Sequence, residues 1–259
     1  MQPTGNTILI TGGGTGIGLG LAKEFHRLGN QVIIASRNKD VLDGVVKDNP
    51  GMASYGIDIR NAEEIRSFAS WLSQDFPNLN TLINNSGIMK AENLLEQRDF
   101  SDMEAIVETN LLGPLRLTTA LLPSLLKQPN ATIINVSSGL GFVPMAVTPT
   151  YSATKSALHA YTLCLRLQLK NTSVRVVELI PPYVATNLMS GANDPRAMPL
   201  DAYIAEVMEI IKAYPDETEI CVENVKPLRF AAESINYEKI FRHLNGDVKP
   251  LLTTQPRLF

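Results

Sequence analysis

Short runs rich in valine and isoleucine recur along this chain, each followed by a longer stretch with helical periodicity. "NTILIT" (6–11), "QVIIAS" (31–36), "ASYGID" (53–58), "NTLINN" (80–85), "ATIINVS" (131–137) and "VRVVELI" (174–180) predict six strands. Most are apolar almost throughout rather than at alternate positions, as expected of strands covered on both faces. Helical patterns fall between them, near 17–28, 38–48, 61–75, 101–128 and 150–170. This alternation predicts an α/β chain: a Rossmann-like, doubly wound parallel sheet with helices on both faces. No Pro/Gly/Ser-rich linker and no repeat breaks the pattern, so one domain over residues 1–259 is expected. Beyond Pro181 the pattern loosens. "PPYVATNLMSGANDPRAMP" reads as a long loop before a helix at 199–214, together a substrate loop and helix at about 182–214. In a C-terminal extension at about 215–259, "TEICV" (218–222) predicts a last short strand and 233–245 a terminal helix.

The formal charge is −3 with both signs scattered, so no basic stripe points to nucleic acid. The longest apolar stretch, "NLLGPLRLTTALLPSLL", holds Arg116 and two prolines, which argues against a membrane span. The N-terminal "MQPTGN" runs into a strand without a charged leader. Cys164 and Cys221 are far apart and outside any ligand spacing, and are expected to be buried or half-buried thiols. His26, His159 and His243 are isolated, so no metal is expected. A cytoplasmic protein is the expectation.

The first strand runs into "TGGGTGIG" (11–18) and then directly into a helix. Such a turn lets a diphosphate approach the backbone at Gly12, Gly14, Thr15, Gly16, Ile17 and Gly18, where the helix N-terminus offers N–H groups and positive dipole. The second strand ends "ASRN". Ser36, Arg37 and Asn38 stand where a carboxylate would favour NAD. A guanidinium there attracts a 2′-phosphate, so NADP(H) is favoured and NAD(H) remains possible. Asp58, followed by Ile59, has two readings: an acceptor for an adenine amino group, or an N-cap for the helix at 61. "NNSG" closes the fourth strand, with Asn85, Ser86 and Gly87 where the chain passes close to a cofactor.

Ser138 follows the fifth strand, and Tyr151 and Lys155 lie 13 and 17 positions further on, four apart on one helix face. Ser-x12-Tyr-x3-Lys, together with TGxxxGxG, NNSG and Asn110 in "VETNLLGP", resembles the short-chain dehydrogenase/reductase family. The likeness spans about residues 6 to 190. "TSVRVVELIPPYVAT", "LLKQP" and "SGLGFVP" look like the branch that includes an oxidoreductase of bacterial D-alanylation operons. The resemblance implies an NAD(P)-dependent carbonyl reductase or alcohol dehydrogenase with a catalytic tetrad of Asn110, Ser138, Tyr151 and Lys155. Tyr151 is then the general acid in reduction and the base in oxidation. Lys155 lowers the phenol's pKa and bonds the nicotinamide ribose, Ser138 holds the substrate oxygen, and Asn110 anchors a relay water. Pro181, Val184 and Thr186 are expected beside the cofactor.

Two departures stand out. A serine replaces the family's usual alanine in NNSG, and Pro182 occupies a position usually held by glycine, which alters the local backbone. A lining of Ser138, Leu140, Phe142, Val143, Met145, Tyr183, Leu188 and Met189 is expected to take an apolar or aryl ketone or alcohol. The helices at 101–128 and 150–170 are more apolar than one sheet face needs, and in the resembled family they pair into a dimer or tetramer interface. The rival readings are a cofactor-binding sensor, a methyltransferase, or an epimerase or lyase of the same family. A sensor needs no aligned phenol, and a methyltransferase does not explain the tetrad.

Overall fold

The computed structural model describes residues 1–189 and 194–246. Seven parallel strands form one sheet in the order β3-β2-β1-β4-β5-β6-β7. They are β1 (Thr7–Thr11), β2 (Gln31–Ser36), β3 (Ala53–Gly56), β4 (Thr81–Asn84), β5 (Ala131–Val136), β6 (Val174–Ile180) and β7 (Glu219–Cys221). The single-domain Rossmann-like expectation is met, including the short last strand.

Neighbouring strand residues separate to opposite faces. Ile8, Ile10, Ile34, Ile83 and Val177 pack against α1 (Gly16–Arg27), α2 (Lys39–Asp48) and α7 (Leu200–Ala213), through Phe25, Leu42 and Tyr203. Leu9, Ile33, Leu82, Ile133 and Val176 pack against α3 (Ala62–Asp75), α5 (Gly113–Leu125) and α6 (Pro149–Leu169). Both faces are therefore covered, which is why the strands read as continuous apolar runs. The chain leaves β1 toward β2 and returns through β4 on its other side. The crevice at the carboxyl ends of β1 and β4 is the switch point where such sheets bind ligands.

Four expectations need correction. The third strand ends at Gly56, because Asp58 turns out of the sheet to bond Arg60. The single helix expected over 101–128 is two, α4 (Ser101–Val107) and α5, joined by a π turn at Glu108–Leu112. Pro114 has no N–H to return to the carbonyl of Asn110, and the helix widens there. Cys164 is exposed rather than half-buried, because it lies on the outer side of α6. The terminal helix is shorter than expected, α9 (Tyr237–Asn245), and follows α8 (Lys226–Arg229). Parts of the expected 182–214 and 215–259 segments lie outside the described residues.

Candidate active site

The glycine turn is built so that only hydrogen fits at two of its positions. Gly12 has φ +66°, a left-handed conformation. A Cβ on Gly18 would stand 2.5 Å from Asn85 Nδ2 and closer still to the carbonyl oxygen of Gly12. Thr11 and Asn85 lock this turn to the end of β4. The Thr11 hydroxyl accepts from the backbone N–H groups of Asn85 and Ser86 at 3.0 and 3.1 Å, while Asn85 Nδ2 donates to the Thr11 carbonyl at 2.9 Å. Thr11 is a residue the sequence reading missed, although it stands immediately before the first glycine.

Thr15, the N-cap of α1, makes no side-chain cap bond, so the first N–H groups of α1 face the crevice without a capping side chain. Thr186 lies over the turn: a Cβ on Gly16 would meet its Cγ2 at 3.4 Å. A pocket of about 230 Å³ continues from here, lined by Gly12, Gly14, Thr15, Ser36, Arg37, Asn38 and Val41. Asn38 caps α2 by accepting from the N–H of Val41 at 3.2 Å. Arg37 is exposed at the pocket rim and has no side-chain partner among the described residues. A cradle without Cβ atoms and a helix N-terminus fit the diphosphate of a nicotinamide dinucleotide, with a guanidinium at the rim.

Asp58 caps no helix; Asn61 does, accepting from Glu63 and Glu64. The Asp58 carboxylate is gripped by Arg60, with Nε–Oδ2 at 2.9 Å and Nη2–Oδ2 at 2.6 Å, which holds its pKa below the usual range. Ile59 is buried.

At the other end of the crevice four expected residues converge. Tyr151 and Lys155 rise from the first two turns of α6, and both side chains are buried. Lys155 Nζ donates to the carbonyl of Val136 at 2.8 Å and lies 5.6 Å from the Tyr151 ring centre. Ser138 leaves β5 in extended conformation, its Oγ accepting from Leu140 N–H at 3.1 Å. Asn110 sits in the π turn, fully buried. Its Oδ1 accepts from Ile88 N–H at 2.8 Å, and its Nδ2 donates to the Ile88 carbonyl at 2.9 Å and to Thr154 Oγ1 at 3.3 Å. A Cβ on Gly87 would stand 3.5 Å from Asn110 Oδ1 and 3.7 Å from Lys155 Nζ, so these groups meet at one point.

The expectation of a lowered phenol pKa is not met, because burial dominates at both groups. Burial pushes the Tyr151 phenol up to about 12, against a hydrogen bond from Ser138 that favours the phenolate. Burial also pushes the Lys155 ammonium down to about 8, against the negative charge of Glu178. At the phenol Ser138 is the counterweight to burial, and the Lys155 ammonium stands 5.6 Å from the ring centre. The side chain of Asn110 has both amide hydrogens in use, and it pins Ile88 rather than offering a donor to water.

Sequence reading also missed Glu92. Its buried carboxylate accepts from the N–H of Thr150 at 2.9 Å and its hydroxyl at 2.7 Å, and pairs with Arg98 at 2.7 Å. That clamps a loop onto the N-terminus of α6, one residue before Tyr151, where a carboxylate also meets the positive end of the helix.

The expected pocket lining is only partly assembled. Val143 is fully buried, and the Phe142 ring packs edge-on to His159 and under the Arg229 guanidinium. Both are committed to packing behind the site, a correction to the expected lining. Leu140 and Met145 are half-buried; Tyr183 and Leu188 are exposed, and Met189 is half-buried. Pro181 accepts from Gly139 N–H at 3.0 Å, and Val184 bridges to Met198. Pro182 therefore leaves a regular path: the loop closes as a short parallel bridge.

Residues 6–197 match the family model described as short chain dehydrogenase. The chain is 38% identical over 252 residues to the uncharacterized oxidoreductase DltE of Bacillus subtilis (strain 168), covering 95% of this chain and 98% of that one. It is 29% identical over 228 residues to an uncharacterized oxidoreductase of Staphylococcus aureus (strain N315), covering 87% and 98%. Among solved structures, a short chain dehydrogenase from Burkholderia cenocepacia J2315 in complex with NADP superposes with a TM-score of 0.80. It is 27% identical, over 94% of this chain and 99% of that one.

Proposed function

Because the chain belongs to the short chain dehydrogenase family, we propose that it is an NADP(H)-dependent oxidoreductase interconverting a ketone or aldehyde with an alcohol. The observation that carries this is the buried phenol of Tyr151, 5.6 Å at its ring centre from Lys155 Nζ and with Ser138 beside it, at the end of the crevice opposite the glycine cradle. When bound, the nicotinamide supplies or takes the hydride. Tyr151 moves the proton at the substrate oxygen, and Ser138 bonds that oxygen and tunes the phenol. Lys155 presents a buried ammonium to the cofactor ribose. Asn110 is a positioning residue that fixes Ile88 and Gly87 beside Lys155, and its backbone carbonyl is the group proposed to hold a relay water. Activity is tested by following NADPH and NADH at 340 nm with a panel of aryl ketones. Consumption of either cofactor supports the proposal, and binding without turnover of any carbonyl or alcohol favours a sensor.

NADP(H) is the preferred cofactor in this reading, on the strength of Arg37 at the pocket rim; the B. cenocepacia structure with NADP is consistent with it. Arg37→Asp should raise KM for NADPH at least tenfold more than KM for NADH, the loss of an attractive and gain of a repulsive charge at a phosphate. An unchanged ratio of the two KM values removes Arg37 from the account.

The substrate is proposed to be apolar or aryl, bordered by Leu140, Met145, Tyr183, Leu188 and Met189, with the 182–214 segment as its variable wall. No helix among the described residues is long and apolar enough to cross a membrane. We place the protein in the cytoplasm, where NADPH is at hand and the two thiols, free among the described residues, stay reduced.

A homodimer or homotetramer is also proposed. Leu163 and Leu167, one turn apart on α6, are 43% and 66% exposed, with Cys164 between them and Leu126 exposed beside the end of α5. Two copies facing along α5 and α6 would cover this stripe. Light scattering at micromolar concentration should give at least twice the chain mass of 28.4 kDa, and a clean monomer contradicts it.

A further inference from the structure

A buried carboxylate lies beneath the helix that carries Tyr151 and Lys155, and none of the proposed steps uses it. Glu178 of β6 has no exposed surface. Strand register sets it beside Asn135 of β5 on one side and Glu219 of β7 on the other. The alternation along β6 turns it to the face covered by α5 and α6, where its neighbours Val174 and Val176 are apolar. A polar row crosses the sheet at this level. Asn84 Nδ2 donates to Asn135 Oδ1 at 2.9 Å, and Asn135 Nδ2 donates to Thr162 Oγ1 at 2.9 Å. Glu178 finds its partner on α6 instead: Oε2 lies 2.8 Å from His159 Nδ1, while Oε1 has no partner among the described residues. His159 is one turn beyond Lys155, and its side chain is 21% exposed, so it links the carboxylate to the surface.

A buried carboxylate without a full set of partners is costly, and an apolar residue would pack at lower cost. Its surroundings identify what it serves. The charged and titratable groups around it are His159 and Lys155 on α6, and Glu219 and Cys221 on β7. The Arg229 guanidinium of α8 is already tied to Glu219 at 2.6 Å, and β5 offers only the neutral Asn135. Lys155 is the one buried cation among these with no carboxylate bonded to it, its ammonium donating only to the carbonyl of Val136. Glu178 is also the one charge that acts to keep it protonated, against burial.

We propose that Glu178, held by His159, is the buried counter-charge of Lys155 and so a positioning residue that keeps Lys155 an ammonium. The proposal rests on the reading of Lys155 as the active-site ammonium, and it acts through that residue without touching substrate.

The test titrates Lys155 directly by NMR of protein labelled at lysine with carbon-13, the signal assigned by its loss in Lys155→Arg. The native midpoint should fall near 8, and that of Glu178→Gln about one pH unit lower, because the variant keeps the shape of the side chain but not its charge. Glu178→Asp retains the charge and should stay near the native midpoint. With an active substrate in hand, the alkaline limb of the kcat/KM profile should move in step with the NMR midpoint. If Glu178→Gln does not fold, His159→Gln, which removes the bond that fixes the carboxylate under α6, should lower the midpoint in the same direction. An unchanged midpoint in the folded variant, or an equal drop in Glu178→Asp, overturns the proposal. A lowered midpoint in a protein that turns over no carbonyl or alcohol supports the counter-charge and refutes the functional reading, so the two can fail separately.

Discussion

Tyr151→Phe should lose about a thousandfold in turnover, about 4 kcal/mol of barrier, while binding NADPH nearly as the native chain does. The substitution removes one oxygen from a buried ring and keeps the ring itself, so the glycine cradle at the other end of the crevice should stay as it was. What disappears is the phenol that Ser138 favours as phenolate. Burial outweighs Ser138 and leaves that phenol at about 12, a poor acid–base group at neutrality. Its competence therefore depends on neighbours that favour the phenolate. Ser138 does so directly, and the ammonium of Lys155 stands 5.6 Å from the ring centre. A steady-state comparison with a cofactor-fluorescence titration separates the two effects. Turnover retained within tenfold would show that another group moves the proton.

Gly18→Ala should abolish cofactor binding at millimolar NADPH and lower thermal stability. The added methyl group would stand 2.5 Å from Asn85 Nδ2 and nearer still to the Gly12 carbonyl oxygen, both rigid neighbours. Neither can retreat, because Asn85 is tied to Thr11 on β1 at 2.9 Å and Gly12 N–H donates to Ala35 at 2.7 Å. The start of α1 must then move away from β4, which opens the cradle and loosens the packing of Leu21 and Phe25 against the sheet. Overpacking of this kind costs about 1–3 kcal/mol. Calorimetry and NADPH titration of the same sample check both parts. A variant that binds cofactor with native affinity would place the diphosphate elsewhere.

Most of this architecture was legible because it is written in local patterns. β2 and β6 match their expected bounds, and the others are shorter by one or two residues. The grouping of Ser138, Tyr151 and Lys155 in space was legible because they are close in sequence and share one strand end and one helix face. What was hidden depends on long-range pairing. Glu92 reaches Thr150 across 58 positions, and Thr11 reaches Asn85 across 74. His159 looked isolated along the chain because its partner, Glu178, comes from β6. The π turn was marked by Gly113 and Pro114, but a helix tolerates proline near its start, so the sequence did not distinguish a continuous helix from a widened one. The lining at Phe142 and Val143 misled for a similar reason. Apolar residues after Ser138 fit a substrate wall and a packed core equally well until α8 supplies Arg229.

The central claim is that this crevice passes a hydride between a nicotinamide and a carbonyl carbon under the control of Tyr151. Incubation with NADPH deuterated at the transferring C4 position and a panel of aryl ketones, followed by mass spectrometry, tests it most directly. The account predicts deuterium on the carbinol carbon of at least one product, in step with loss of absorbance at 340 nm, and none with Tyr151→Phe. Label in no product while NADPH binds stoichiometrically, or equal label with and without the phenol, would contradict it.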